Sequence, residues 1–377
     1  MINIIYRHYK EGDEIQIADL FNLAFKRRVV KRTPTSWHWR YVESPGFEPE
    51  MCQIAEDIDK KKIIGVIHVN LIETIPIGQK QYLIGEINDV STHPSYTKRG
   101  IATKLMKKSI DYMNKKRCDF SILSTGVRGL ANRLYQKLGY FDIEKEYFFF
   151  QIPNIIQFVR NIFGFAISFP VLFTISYLPR FLNRLRIKFK KFFKDFSYEI
   201  KYNKNHLEFM NATNKISPIN YDGYPKYDKV KLIWARVKVP SDQQKPIYII
   251  VRKSEKIIGG SIITFQFFKT TKTKLNIKIG IIHELFLDKE VFNNSYDLQL
   301  GYIYLIDKII KAATRRKLGI LIYISSFKNI VLNQAFKEMQ FFKIQSGIIM
   351  IKELKKNLKF PKIKKPLYIP TYLSLGI

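Results

Sequence analysis

The sequence predicts an α/β fold of mixed sheets, built as two tandem copies of one unit joined by a helical, apolar-basic insert. Three observations lead there. Between Tyr82 and Phe141, strand and helix patterns alternate: strand to Thr92, helix from Ile101, strand from Phe120 to Ser124, helix through Tyr135. A set of short motifs then recurs in order, Trp39 to Pro45 answering Trp234 to Pro240 and Lys62 to Gly65 answering Lys256 to Gly259. Asn132 to Tyr135 likewise answers Asn333 to Phe336, and Tyr140-Phe141 answers Phe341-Phe342. Between the halves the composition changes: no charge from Asn161 to Pro179, then basic residues without an acid from Arg180 to Lys194. At 377 residues the chain exceeds one ordinary core. The expected units are 1–152, a linker over 153–200, a second copy over 201–354 and a basic tail over 355–377.

Along the chain, Ile2 to Tyr6 reads as an edge strand. Asp13 is positioned to cap the next helix with Gln16 as its capping-box partner, and Ala18, Leu20, Phe21, Ala24 and Phe25 form its buried face. The aromatics of Ser36 to Pro45 either pack at a helix end or line a pocket. Met51 to Ala55, Lys62 to Leu71 and Tyr82 to Thr92 are strands, and Pro94 ends the last of them. The turn Thr97-Lys98-Arg99-Gly100-Ile101-Ala102 then opens a helix with Ile101, Leu105, Met106 and Ile110 at helical spacing. Strand, small-residue turn and helix start together suit phosphate. Gly100 and Ala102 let the backbone come close, and the helix N-terminus adds positive potential.

These residues resemble the GNAT acyl-CoA transferases. That family's pyrophosphate loop, Gln/Arg-x-x-Gly-x-Gly/Ala, is matched at Gly100 and Ala102 and departs at Thr97. Its following helix, Asn-x-x-Tyr-x-x-x-Gly-Phe/Tyr, is matched by Asn132, Tyr135, Gly139 and Tyr140. The resemblance covers about the first 150 residues. It implies transfer of an acyl group, usually acetyl, from CoA to an amine without a covalent enzyme intermediate. It further implies acetyl-CoA or another acyl-CoA as co-substrate, with no metal. Cofactor contacts then fall on Val90, Ser91 and Thr92 of the strand, on Thr97, Lys98, Arg99, Gly100, Ile101, Ala102 and Thr103, and on Asn132. Tyr135 is the expected proton donor to the thiolate. Glu86 is the candidate base, near the family's glutamate offset, with Asp89 in reserve.

The second copy lacks this chemistry. After the strand Ile281 to Leu287 no Gly-x-Gly/Ala opens a helix, Asp288, Glu290 and Asp297 would repel phosphate, and Phe336 replaces Tyr135. In the insert, Phe181, Leu185, Phe189, Phe192 and Phe196 share one helical face between arginines and lysines. That pattern fits an interfacial anchor on an anionic membrane surface or a linker packed between domains. Pro170 suggests a broken helical pair over the uncharged run rather than a span. The net charge of +32 suits nucleic acid, an anionic surface, or lysine drift around an anionic ligand, and the even scatter of lysines favours drift. Two cysteines without metal or redox spacing and a start without a secretory pattern point to the cytoplasm, with membrane association open. The six histidines form no cluster. Two rival readings remain: a Fem-type transferase using aminoacyl-tRNA, and a non-catalytic binding or membrane-adaptor module on a decayed fold.

Overall fold

A computed structural model describes residues 3–25, 32–127, 129–155, 177–202, 206–225, 228–234, 244–269 and 276–368. The first copy runs β1 (Ile4–His8), α1 (Asp13–Ala24), α2 (Pro34–Tyr41), β2 (Cys52–Asp57), β3 (Lys62–Ile77), β4 (Lys80–Thr92), α3 (Ile101–Lys115), β5 (Phe120–Thr125), α4 (Leu130–Lys137) and β6 (Phe141–Gln151). After α5 (Leu178–Phe189), the second runs β7 (Phe196–Tyr202), α6 (His206–Asn220), α7 (Lys229–Leu232), β8 (Gln244–Lys253), β9 (Lys256–Lys269) and β10 (Asn276–Leu287). It ends with α8 (Ser295–Arg315), β11 (Ile320–Ser326), α9 (Ile330–Glu338) and β12 (Phe342–Glu353).

The twelve strands among the described residues form one sheet, in the order β1-β2-β3-β4-β5-β12-β6-β11-β10-β9-β8-β7. The copies have exchanged their last strands. β12 pairs with β5 of the first copy, and β6 pairs with β11 of the second. At the seam β6 and β12 lie antiparallel in a symmetric register, Phe141 opposite Ile351 and Phe150 opposite Phe342. Each lobe is therefore completed by the other copy: Met350 is buried in the first lobe's core and Phe149 in the second's. The strand closing the expected second unit, 201–354, thus lies in the first lobe's sheet.

The repeat seen in the sequence is a repeat of backbone geometry. His93 N donates to Ile64 O at 2.8 Å, and Asp288 N to Ile258 O at 2.7 Å. Tyr140 N donates to Tyr135 O, and Phe341 N to Phe336 O, both at 3.0 Å. The paired tryptophans meet: Trp39 Nε1 donates to Trp234 O at 3.1 Å and Trp234 Nε1 to Trp39 O at 2.8 Å. Gly65 explains why α3 sits so close to β3, since a Cβ there would come within 2.7 Å of Ile101 Cγ2.

Two local expectations are corrected. Gly12, in the left-handed region, caps α1, while Asp13 holds Arg7 in a bidentate pair at 2.6 and 2.8 Å. Gln16 Oε1 instead accepts from Ile63 N at 2.9 Å. The basic helix expected through Phe196 ends at Phe189, and Phe192 and Phe196 fold back onto Phe292. Most of the uncharged run, 161–176, lies outside the described residues. Among the described residues no helix is long and apolar enough to cross a membrane.

Candidate active site

The site is set by where β4 and β5 part. Their parallel ladder pairs Ile84 with Phe120, Gly85 with Ser121 and Glu86 with Ile122, then stops, while β4 continues to Thr92. Just beyond, the β3–β4 register slips between Val66 and His68, with Asp89 at φ +47°. Such a bulge twists a strand and re-aims its side chains. A cavity of about 340 Å³ occupies the resulting wedge. Asn88, Asp89 and Val90 line one wall, Leu123 to Gly126 the other, and Tyr135 of α4 joins them. Glu146 of β6 and Ser346, where the seam register slips, line it too, as does Ile324 of β11.

Asp89 and Glu146 are the only charged groups among the described lining residues. Both are buried. Asp89 Oδ2 accepts from Arg32 Nη2 at 3.3 Å and from the Tyr41 hydroxyl. Glu146 Oε2 accepts from Ser124 Oγ at 2.9 Å. Burial holds the Tyr135 phenol well above its ordinary pKa, so it stays protonated and able to donate. Two acids thus line the cavity of a chain with +32 net charge, and Asp89 is paired there with the buried Arg32 guanidinium.

Glu86 stands apart from this lining. Its carboxylate accepts from Asn70 Nδ2 at 3.3 Å. Burial pushes its pKa up to about 8, with the Asn70 bond opposing and the Glu73 charge adding to the rise. Nearby, His68 is buried with both ring nitrogens lacking a hydrogen-bond partner, its ring stacked on Tyr41 at 4.0 Å. Desolvation lowers its pKa to about 3, so it is neutral.

At the start of α3, Lys98 (φ +62°) and Gly100 (φ +76°) both take the left-handed conformation. Gly100 is the N-cap and supplies no side-chain acceptor, so the first amides, those of Ile101, Ala102 and Thr103, keep the orphan donors of a helix start. Arg99 and Lys60 lie over the Tyr96 ring, at 5.7 and 5.5 Å, and add positive charge beside them. Thr97 Oγ1 donates to Pro94 O at 3.1 Å, which tightens the loop. Of the other expected contacts, Ser91 Oγ donates to Asp89 O at 3.0 Å, and Thr92 pairs with Gly65 in the ladder. Asn132 donates its side-chain amide to Met350 Sδ at 3.5 Å. Glu146 and Ser346 went unnoticed in the sequence because they reach the cavity only through strand exchange.

The second lobe repeats the wedge and fills it. The β10–β11 ladder ends at Ile281–Ile322, and the β9–β10 register slips at His283–Glu284. Only about 10 Å³ remains, between Tyr221, Tyr323, Leu367 and Tyr368. The Tyr368 hydroxyl donates to Glu284 Oε1 at 2.8 Å, and the Tyr221 hydroxyl to Leu285 O at 3.3 Å. The N-terminus of α8 is closed as well: Asn294 Oδ1 accepts from Asp297 N at 2.8 Å, and Asp297 pairs with Lys190 at 3.1 Å. Phe336 lies between Phe149 and Tyr323, at 5.1 and 4.9 Å.

Residues 5–141, which carry β1 to α4 and the loop before α3, match the acetyltransferase (GNAT) domain family model. Over that stretch the chain has the GNAT fold. Solved structures extend the GNAT likeness over both lobes. Saccharomyces cerevisiae N-myristoyltransferase with bound myristoyl-CoA is 14% identical, with a TM-score of 0.68 over 93% of this chain and 79% of that one. A GCN5-related N-acetyltransferase from Anabaena variabilis is 14% identical, with a TM-score of 0.58 over 94% of this chain and 73% of that one. A probable N-acyltransferase from Enterococcus faecalis is 12% identical, with a TM-score of 0.55 over 93% of this chain and 73% of that one. No curated protein matches the chain by sequence. Among the described residues no group of three or more His, Cys, Asp or Glu side chains is placed to hold a metal ion.

Proposed function

We propose that the first GNAT lobe transfers an acyl group, acetyl in the simplest case, from CoA to a primary amine. The observation that carries this is the contrast at the two wedges: open, acid-lined and beside an uncapped helix start in the first lobe, filled and capped in the second. Orphan amides at a helix start, with positive side chains beside them, suit a diphosphate. Beyond Glu86, the edge of β4 that turns away from β5 over Ile87 to Thr92 offers backbone groups to an extended amide-bearing arm. An aminoacyl-tRNA donor needs no such loop, which ranks the Fem-type reading second.

In this reading Asp89 and Glu146 draw the acceptor ammonium into the wedge. The ammonium gives up a proton, the free amine attacks the thioester carbonyl, the C–N bond forms and the C–S bond breaks. Tyr135 passes its proton to the departing thiolate. Glu86, with a pKa near 8, is matched to take the ammonium proton at neutral pH. Because it does not line the cavity, the transfer runs through water.

The test pairs calorimetry with an acyl-transfer assay, using acetyl-CoA and myristoyl-CoA against a panel of amines. The expected result is one acyl-CoA site per chain and thiol release that depends on an amine. Absence of acyl-CoA binding for both chain lengths would overturn the reading. Glu86→Gln should remove a limb of the pH profile near 8, whereas an unchanged profile would exclude Glu86 as the base.

A further inference from the structure

Helix α5 buries two polar side chains beside a single apolar one, Ile187. An amphipathic helix ordinarily buries its apolar stripe. Here the buried side chains include Arg180 and Asn183, at 4% and 6% exposure, while Phe189 is 80% exposed and Phe181 and Leu182 are each 51% exposed. Polar contacts fix this orientation. Arg180 donates to Pro153 O at 3.0 Å and Asn183 to Glu338 O at 3.1 Å. Arg184 pairs with Asp307 at 2.7 Å, Arg186 with Glu338 at 2.9 Å, and Lys190 with Asp297 at 3.1 Å. These bonds hold the polar edge against α8 and α9, and they leave Phe181, Leu182 and Phe189 as an apolar stripe facing out.

We infer that this stripe docks on an anionic lipid bilayer. Phe181 and Phe189 are eight residues apart and Leu182 lies beside Phe181, so together they form one outward patch along about two turns. Lys188, Lys191 and Lys194 are exposed next to it. Aromatic and aliphatic side chains bordered by lysines fit the acyl boundary and the anionic headgroups of a bilayer surface. A protein partner with an apolar groove would satisfy the stripe but give the three lysines no counterpart. The structure also sharpens which residues anchor. Phe192, on the same face by sequence, packs onto Phe193 and Phe292, so Leu182 takes its place.

Flotation of the full chain with phosphatidylcholine vesicles, with and without phosphatidylserine, tests this. Binding is expected to the anionic vesicles, with partial release at high salt. The triple variant Phe181→Ser, Leu182→Ser, Phe189→Ser should lower the bound fraction at least tenfold at an unchanged melting temperature, because these side chains lie on the surface. Lys188→Glu, Lys191→Glu, Lys194→Glu should abolish the preference for phosphatidylserine. A wild-type chain that stays with the unbound fraction overturns the inference. So does a concentration-dependent dimer, lost in the serine variant and without vesicle binding, which would make a second copy the occupant.

Discussion

The two lobes share one backbone and differ in what occupies the gap between the parting strands. In both, a bulge ends the parallel ladder and opens a wedge. The first lobe leaves it as a cavity with a phenol and two carboxylates, whereas the second closes it with tyrosines and caps the adjoining helix with Asn294. A fold can thus keep the geometry of a site while a handful of side chains decide whether a ligand enters.

The largest expected effect separates the helix starts. Gly100→Val places a β-branched residue at φ +76°, although its Cβ meets nothing within 4 Å. The strain should cost about 1–2 kcal/mol of stability. Acyl-CoA binding should weaken about a hundredfold or more, equivalent to about 3 kcal/mol. Calorimetry beside thermal melts reads both, and retained binding would remove the loop from the site.

Next comes the phenol. Tyr135→Phe should keep acyl-CoA binding and slow turnover by about ten- to a thousandfold, the range for losing a proton donor. The mirror change, Phe336→Tyr, should give no second activity and cost about 1–3 kcal/mol for burying a hydroxyl among rings. Unchanged turnover in Tyr135→Phe would leave solvent to protonate the thiolate.

A smaller effect probes the plug. Tyr368→Phe removes a hydrogen bond to the Glu284 carboxylate and should cost about 2 kcal/mol in urea unfolding. Tyr368→Ala should enlarge the second wedge without creating a second acyl-CoA site, because α8 stays capped. Two sites in that variant would assign the second lobe's silence to the plug alone.

The last difference is in pH dependence, and it belongs to the first lobe. By ladder register Glu86 and His68 correspond to Ile281 and Ile262, which do not titrate. The folded pKa of Glu86 is raised from 4.5 to about 8, so its contribution is full below 4.5 and is lost as pH rises through 8. That of His68 is lowered from 6.5 to about 3, so its contribution is full above 6.5 and is lost as pH falls toward 3. Each limb has a slope of at most about 1.4 kcal/mol per pH unit. Glu86→Gln should flatten the alkaline limb and His68→Phe the acid one, read as denaturant midpoints across pH. A limb that persists in its variant would locate the titrating group elsewhere.

Much of this was legible in the sequence. The repeat showed through Trp39 and Trp234, and through Gly65 and Gly259, because a fixed spacing survives where side chains drift. The phosphate-type loop showed because a left-handed helix start selects glycine at position 100. Strand exchange was hidden: β6 and β12 follow equivalent helices, and neither sequence says which β5-like edge it joins. Glu146 therefore carries no signal of its own in the sequence. The orientation of α5 was hidden for another reason. Apolar patterning reports which face is greasy, and the ion pairs from Arg184, Arg186 and Lys190 to the second copy override it.

The place of β12 in the sheet also bears on how the protein is made. β5 leaves the ribosome early, yet its neighbour on the seam side begins only at Phe342. Until then the nascent first half has an unpaired strand edge and lacks Met350 in its core, a form open to misassociation. Completion of the first lobe is thus deferred until β12 has been made, and contacts of this long sequence separation form slowly. Ribosome-arrested chains ending before Phe342 should be digested throughout by protease. Protection of residues 52–125 in such chains would show that the lobe closes without its borrowed strand.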